Sequence, residues 1–323
     1  MIIVTGGAGF IGSAIVSKLN SKGFDDILIV DSLNDSDKWK NLVNLKFIDF
    51  IHKTKFIELV ENNSLLDEIT AIIHMGACSS TTEKNADYLM ENNYHYTRKL
   101  ASYALEKNIR FIYASSAATY GDGSNGYSDN VEELHLLTPM NMYGYSKHLF
   151  DIWARKEKLF DKIVGLKFFN VYGPNEYHKG DMMSVVRKAY DQILSTGKIR
   201  LFKSYRPEYN DGEQERDFIY VKDCMEVVMW LIDNHQVNGL FNLGTGKCRT
   251  WLDLANSVFS AMGGEPKIEF IEMPESIRDR YQYHTEAKME KLNKAGYTKP
   301  FYSLEEGIKD YVTKYLAASN PYL

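Results

Sequence analysis

The chain opens with MIIVTGGAGFIGS, and this stretch limits the possible folds more than any other. MIIVT is a short apolar run rich in β-branched residues, the pattern of a strand buried on both faces. TGGAGFIG follows directly, placing Gly6, Gly7, Gly9 and Gly12 across the junction to IGSAIVSKLNSKG. There Ile11, Ile15 and Leu19 share one helical face and Gly23 supplies the stop. The glycines satisfy both GxGxxG and GxxGxxG in the required context, between a strand and a helix. They permit a tight turn and let the backbone approach a pyrophosphate on the positive helix N-terminus. The second apolar run, DILIVD (26–31), ends in Asp31. An acid at that place bonds a ribose 2′-hydroxyl and favours NAD. Lys38 and Lys53 follow and could fold back toward a 2′-phosphate, so these residues by themselves leave NAD and NADP both open.

The strand–helix rhythm continues through TAIIHM (70–75), RFIYAS (110–115) and IVGLKF (163–168), with helical segments near 83–107 and 142–159. This predicts an α/β chain with a Rossmann-like, doubly wound parallel sheet. After Pro174 the pattern changes: a helix over 181–195, then a polar, irregular 203–217. FIYVKD and an amphipathic helix over 223–234 resume the first pattern, and GLFNLGTG (239–246) adds a strand and a turn. The last ~75 residues mix helices with a strand at 267–272. The expected division is a dinucleotide-binding domain of 1–170 plus about 218–243. A smaller α/β C-terminal substrate domain takes about 171–217 plus 244–323.

A net charge of −5 over 323 residues gives no reason to expect nucleic acid as a partner. The three cysteines, Cys78, Cys224 and Cys248, form no CxxC, which suits a reducing cytoplasm, and the histidines show no metal spacing, so no metal is expected. No apolar run reaches the ~20 residues of a membrane span, and with a strand starting at Ile2 no signal peptide is expected.

YASSAATYG (113–121) puts Ser115 and Ser116 at the end of a strand predicted to be central, and MYGYSK places Tyr143 and Lys147 four apart on one helical face. Ligands bind at the carboxyl ends of such strands. A tyrosine hydroxyl, with an ordinary pKa of about 10, is a poor base. A nearby ammonium and an oxidised nicotinamide favour its phenolate, which can then take the proton of an alcohol while hydride leaves. Ser116 would bond the same oxygen and Lys147 would hold the nicotinamide ribose. Tyr145, two residues from Lys147, faces elsewhere. FFNVYGPNEYHKGD (168–181) then carries Glu176, His178 and Lys179 in a loop leaving a strand end. Arg216 and Arg280 are candidates for a diphosphate, because planar guanidinium groups bind phosphate oxygens in pairs.

Over essentially its whole length the chain resembles the extended short-chain dehydrogenase/reductase family and, within it, the ADP-heptose epimerase subfamily. The resemblance rests on MIIVTGGAGFIGS, DILIVDSL, HMGACSSTTE, YASSAATYG, MNMYGYSK, FFNVYGPNEYHKG, ERDFIYVKD, FNLGTG and RYQYHTEAKMEKLNKAGY. It implies one tightly bound NADP. Gly6, Gly9, Phe10, Ile11, Gly12, Asp31, Ser32, Lys38, Lys53, Met75, Gly76, Ala77, Cys78, Ser79, Asn92, Lys147 and Val171 would lie at that cofactor. Tyr143 and Lys179 would be the two acid/base groups. Asn170, Asp181, Lys188, Phe202, Lys203, Ser204, Tyr205, Arg216 and Tyr281 would contact substrate. The reaction implied is inversion at C6 of an ADP-linked heptose, a lipopolysaccharide precursor, by transient oxidation, in a homo-oligomer, a pentamer by the resemblance. The chain departs from the subfamily at Met75, where many members carry glutamate. Some members also have serine at the place of Asp181 and histidine at that of Lys188, and 203–215 is longer than in some. A 4,6-dehydratase needs acid and base where this chain reads Ser116-Ala117-Ala118, which disfavours dehydration. A UDP-hexose 4-epimerase is the enzymatic alternative. A non-catalytic NADP sensor is the other, but such proteins lose the tyrosine or lysine kept here.

Overall fold

The computed structural model describes residues 1–65, 68–278 and 281–323. Its strands are β1 (Ile2–Thr5), β2 (Ile27–Asp31), β3 (Asp49–His52), β4 (Ala71–His74), β5 (Arg110–Ser116), β6 (Val164–Phe168), β7 (Asn170–Tyr172), β8 (Ile199–Phe202), β9 (Glu215–Tyr220), β10 (Gly239–Leu243), β11 (Cys248–Thr250) and β12 (Ile268–Ile271). Seven of them form one sheet in the order β10-β6-β5-β4-β1-β2-β3, every pair parallel. Helices cover both faces, so β1, β2 and β4 are buried at every residue, which is why they read as unbroken apolar runs. β3 lies at the sheet edge and is partly exposed, and its DFIH gives no such signal.

The strand order reverses between β1 and β4, and the two backbones nearly touch there. Gly6 has φ +66°, and a Cβ on it would lie 2.6 Å from the Gly76 nitrogen. A Cβ on Gly12 would lie 2.0 Å from the Gly6 carbonyl oxygen. Only glycine admits this turn and this approach. The crevice therefore opens at the carboxyl ends of β1 and β4. The long helical segment after β4 contains a π-turn at Met90–His95. Within it Asn93, fully buried, takes the Cys78 N–H on its side-chain oxygen and donates to the Cys78 carbonyl and to Ser146 Oγ.

β11-β9-β7 form a second, three-stranded sheet and β12-β8 a pair. Phe218–Tyr220 thus pair with Asn170–Tyr172 instead of rejoining the large sheet, while the helix that follows, Val221–Asp233, packs on helix Phe10–Ser21. The helix expected from 181 begins at Val185, capped by Ser184. Residues Tyr177–Met182 instead form 3-10 turns kinked at Gly180 (φ +53°).

Beneath the carboxyl end of β5 lies a buried polar hub. Asp151, on helix Met142–Lys156, accepts from Tyr113 OH (2.7 Å), Ser115 Oγ (2.7 Å) and Lys167 Nζ (2.9 Å). The Asp151 and Lys167 side chains are both fully buried. Removing one partner of such a pair strands the other charge, which costs far more than losing an exposed pair. Lys167→Met should therefore lower unfolding stability by ~3–5 kcal/mol. Lys198→Met, which removes an exposed partner of Glu269, should leave the midpoint near that of the unmodified chain, as denaturant titration of both variants will show.

Candidate active site

The crevice holds two adjoining clefts. One, of about 440 Å³, is walled by Gly6–Gly12, Asp31, Lys38, the 75–80 segment, Tyr143, Lys147, His178 and Lys179. The other, of about 390 Å³, is walled by Ser116, Asn170, Val171, residues 182–186, Trp251, Gln282 and Thr285. Phe10, Ile11, Ser79, Tyr143, Phe168, Lys179 and Met182 line both. Tyr143 and Lys179, from a helix and a loop 36 positions apart in sequence, therefore stand where the clefts meet.

The first cleft fits a dinucleotide. Its floor is the glycine turn that a Cβ would fill, beside the N-terminus of helix Phe10–Ser21. At its end a recess of about 120 Å³ is lined by Asp31, Ser32, Asn34, Lys38, Lys53, Tyr88 and Asn92, which brings together the expected Asp31, Ser32, Lys38, Lys53 and Asn92. Asp31 accepts from the Ala8 N–H (3.0 Å), the Ser32 N–H (2.7 Å) and Lys38 Nζ (2.7 Å). The acid thus braces the glycine turn and is paired with one lysine. Lys53 donates to Asn92 Oδ1, and burial lowers its pKa against the pull of Asp31.

Helix Met142–Lys156 is capped by Asn141, whose side chain accepts from the Gly144 N–H (2.8 Å). This orients Tyr143 and Lys147 toward the cleft and leaves Tyr145 exposed. The Ser116 side chain stands by Tyr143 and favours its phenolate. Ser115 instead faces Asp151, so the two serines divide between site and hub. Lys147 donates to the Ala114 carbonyl (2.9 Å), and burial lowers it to about 8, opposed by Asp151. Burial raises Tyr143, and Ser116 only partly offsets that. The expected lowering calls on an oxidised nicotinamide as well as on Lys147, and takes effect with that ring in place.

Lys179 donates to Ser79 Oγ at 3.2 Å. Burial lowers its pKa, opposed by Glu176, and Lys38 lowers it further. His178 is held low, at about 4, by burial and the same lysines, and lines only the first cleft.

The expected substrate residues divide. Asn170 lines the second cleft, and so does Val171, which was expected at the cofactor; Asp181 and Lys188 line neither, and Lys188 Nζ donates to the Asp181 carbonyl (2.6 Å). Phe202, Arg216 and Tyr281 form a patch joined to the second cleft by Trp251, whose Nε1 donates to Tyr281 OH (2.8 Å). Arg216 is buried between Trp251 and Tyr281 and donates to the Glu215 and Gln282 carbonyls. It is no surface ion pair: neighbouring Asp217 serves the backbone of Thr245, Gly246 and Ala287. On the rim Lys203 and Tyr205 both bond Glu272, Arg278 stacks on Tyr205 at 4.0 Å, and Ser204 N–H meets Asp211 (2.7 Å). Arg280 lies outside the described residues. Sequence reasoning missed Trp251, Met182 and Gln282. Trp251 and Met182 carry no polar motif, and Gln282 sits unremarked inside RYQYHTE. It also missed that the fold gathers donor atoms of Glu215, Cys248 and His284 within 4.8 Å of one another. That set closes on itself: His284 Nδ1 is 2.8 Å from Glu215, and burial with two carboxylate neighbours pushes the Cys248 thiol up to about 12.

Residues 2–244 match the NAD dependent epimerase/dehydratase family. The chain is 58% identical, over the full length of both, to the ADP-L-glycero-D-manno-heptose-6-epimerase of Nitratidesulfovibrio vulgaris strain DP4. It is 52% identical, again over all of both chains, to the protein of that name from Fusobacterium nucleatum. The crystal structure of the Helicobacter pylori ADP-L-glycero-D-manno-heptose-6-epimerase superposes with a TM-score of 0.82 at 28% identity, covering 98% of this chain and 96% of that one. A parallel sheet with its crevice at the β1/β4 reversal, a tyrosine–lysine helix at that crevice and these likenesses agree: the chain belongs to the NAD dependent epimerase/dehydratase family.

Proposed function

We propose that this chain inverts C6 of the heptose in ADP-D-glycero-β-D-manno-heptose to give ADP-L-glycero-β-D-manno-heptose, a step toward lipopolysaccharide core. The observation that carries this reading is the placing of Tyr143 and Lys179 where the two clefts meet. The names of the full-length relatives support the substrate. When bound, the nicotinamide takes a hydride from C6 and returns it. Tyr143, with Ser116 beside it, takes the proton of the C6 hydroxyl as the ketone forms. Its hydroxyl, raised by burial, becomes a base only when the positive ring adds its charge to that of Lys147. The side chain of the sugar then turns about one carbon–carbon bond and presents the other face of the ketone. Its oxygen now lies toward the second donor, and Lys179 gives it a proton. A UDP-hexose 4-epimerase swings the whole ring past one tyrosine and has no use for this lysine.

The cofactor is read as NADP, held by the glycine turn, with Lys38 and Lys53 at the 2′-phosphate and Lys147 at the nicotinamide ribose. Asp31 is already paired with Lys38, which weakens its claim on a ribose hydroxyl. Arg216, kept charged and oriented between two aromatic rings, is read as the diphosphate ligand. The chain works in the cytoplasm and assembles as a homo-oligomer.

Three outcomes follow from this reading. Lys38→Ala/Lys53→Ala should weaken NADP by at least ~100-fold while NAD changes little, because two charge-assisted bonds to phosphate are lost. Titration of each dinucleotide into the stripped protein decides it, and equal losses would remove the NADP assignment. Epimerisation in heavy water should leave C6 unlabelled, since one hydride leaves and returns within the site. Deuterium at C6, read by mass spectrometry, would mean proton abstraction instead. Tyr143→Phe and Lys179→Met should each slow epimerisation by ~100-fold or more, the scale of one acid/base group, with folding and dinucleotide content kept. Near-normal turnover in Lys179→Met beside an inactive Tyr143→Phe would leave a one-base mechanism.

A further inference from the structure

We infer that Glu176 is the positioning residue of the second acid/base group, fixing the loop that carries Lys179. This rests on the reading of Lys179 as a proton donor and acceptor. Glu176 is 1% exposed. Its carboxylate accepts from the Tyr311 hydroxyl (3.0 Å), Ser184 Oγ (2.8 Å), the Ser184 N–H and the Gly173 N–H (3.4 Å). Its backbone carbonyl accepts the N–H of Lys179 itself (3.0 Å). One residue thus ties the start of the loop at Gly173, its end at Ser184, the helix Leu304–Tyr311 and the backbone of the reactive lysine. Ser184 passes this fixation on, because the same hydroxyl caps helix Val185–Thr196.

Among the described residues every hydrogen-bond partner of this carboxylate is neutral, and burying a charge on such terms is unfavourable. Both oxygens accept, Oε2 from a backbone N–H, so an amide here would set its NH2 group against a donor. The charge also acts on what surrounds it. The titratable groups set around Lys179 are Glu176 and His178 on its own loop, Lys38 from the 37–42 segment, Cys78 from the segment after β4, and Tyr143 across the shared wall of the clefts. Burial and Lys38 both drive the ammonium to give up its proton, and Glu176 is the principal charge opposing them. Loss of that charge should therefore move the titration of Lys179 to lower pH as well as loosen its loop.

The test uses the full chain with its bound dinucleotide. The pH dependence of kcat and KM for the ADP-heptose is measured for the unmodified chain, Glu176→Gln, Ser184→Ala and Lys179→Met. Glu176→Gln should lower kcat by about tenfold or more, the effect of a displaced reacting group, with KM changed by less than about threefold. The limb of the profile that is absent from Lys179→Met should shift to lower pH. Ser184→Ala keeps the charge and loses one bond to it together with the helix cap, so kcat should fall less and that limb should stay in place. A wild-type kcat and profile in Glu176→Gln, beside an inactive Lys179→Met, would overturn this inference and leave the reading of Lys179 intact. Normal turnover in Lys179→Met would overturn both. If Glu176→Gln is recovered only unfolded, Ser184→Ala and Tyr311→Phe decide. A lowered kcat at full dinucleotide content supports the positioning role, and wild-type kcat in both rejects it.

Discussion

The approach of Gly6 to Gly76 is the constraint on which the other features depend. Two parallel strands leave the sheet in opposite directions at β1 and β4, and their backbones can come this close only without side chains. That closeness opens the crevice above them. The glycine turn forms its floor, the 75–80 segment one wall, and the ends of β5 and β6 the approach to the second cleft. Asn93 secures the same wall from behind by bonding both backbone groups of Cys78, and it reaches there because a π-turn rotates it inward.

Two lysines serve this crevice under a common physical rule. Lys147 and Lys179 are both desolvated, and burial is the largest influence lowering each. Each is opposed by a buried carboxylate, Asp151 behind Lys147 and Glu176 behind Lys179. Neither carboxylate is hydrogen-bonded to its lysine; each is instead occupied with hydroxyl groups, backbone N–H groups or another cation. The carboxylates act on the lysines through their field while their hydrogen bonds hold the scaffold. A direct salt bridge would have held each ammonium away from substrate and cofactor.

The large sheet was legible in the sequence because its central strands are buried on both faces and so are unbroken apolar runs. The same physics hid β3, an edge strand with polar ends, and the short strands of the second sheet. Phe218–Tyr220 read like a member of the large sheet because buried strands look alike whichever sheet they join. Tyr143, Lys147 and Ser116 could be located because the spacing of a helix and the end of a strand fix where they point. Arg216 could be named, but its aromatic clamp could not, since Trp251 and Tyr281 come from distant segments. The start of helix Val185–Thr196 was missed because the polar residues before it belong to the anchored loop.

Asn175 sits in the left-handed region (φ +75°), fully buried, beside Glu176. Its side chain donates to Ser13 Oγ on the helix that follows the glycine turn (2.9 Å) and accepts from the Leu323 N–H (3.0 Å). Asn41 joins its carbonyl to that of Ala8 within the turn itself. The platform under the dinucleotide and the platform under Lys179 are therefore clamped to each other through asparagine side chains. In the proposed reaction cycle this makes the protein the stator: oxidation and reduction are carried out against the same fixed frame, and the sugar side chain is the rotor that turns between them.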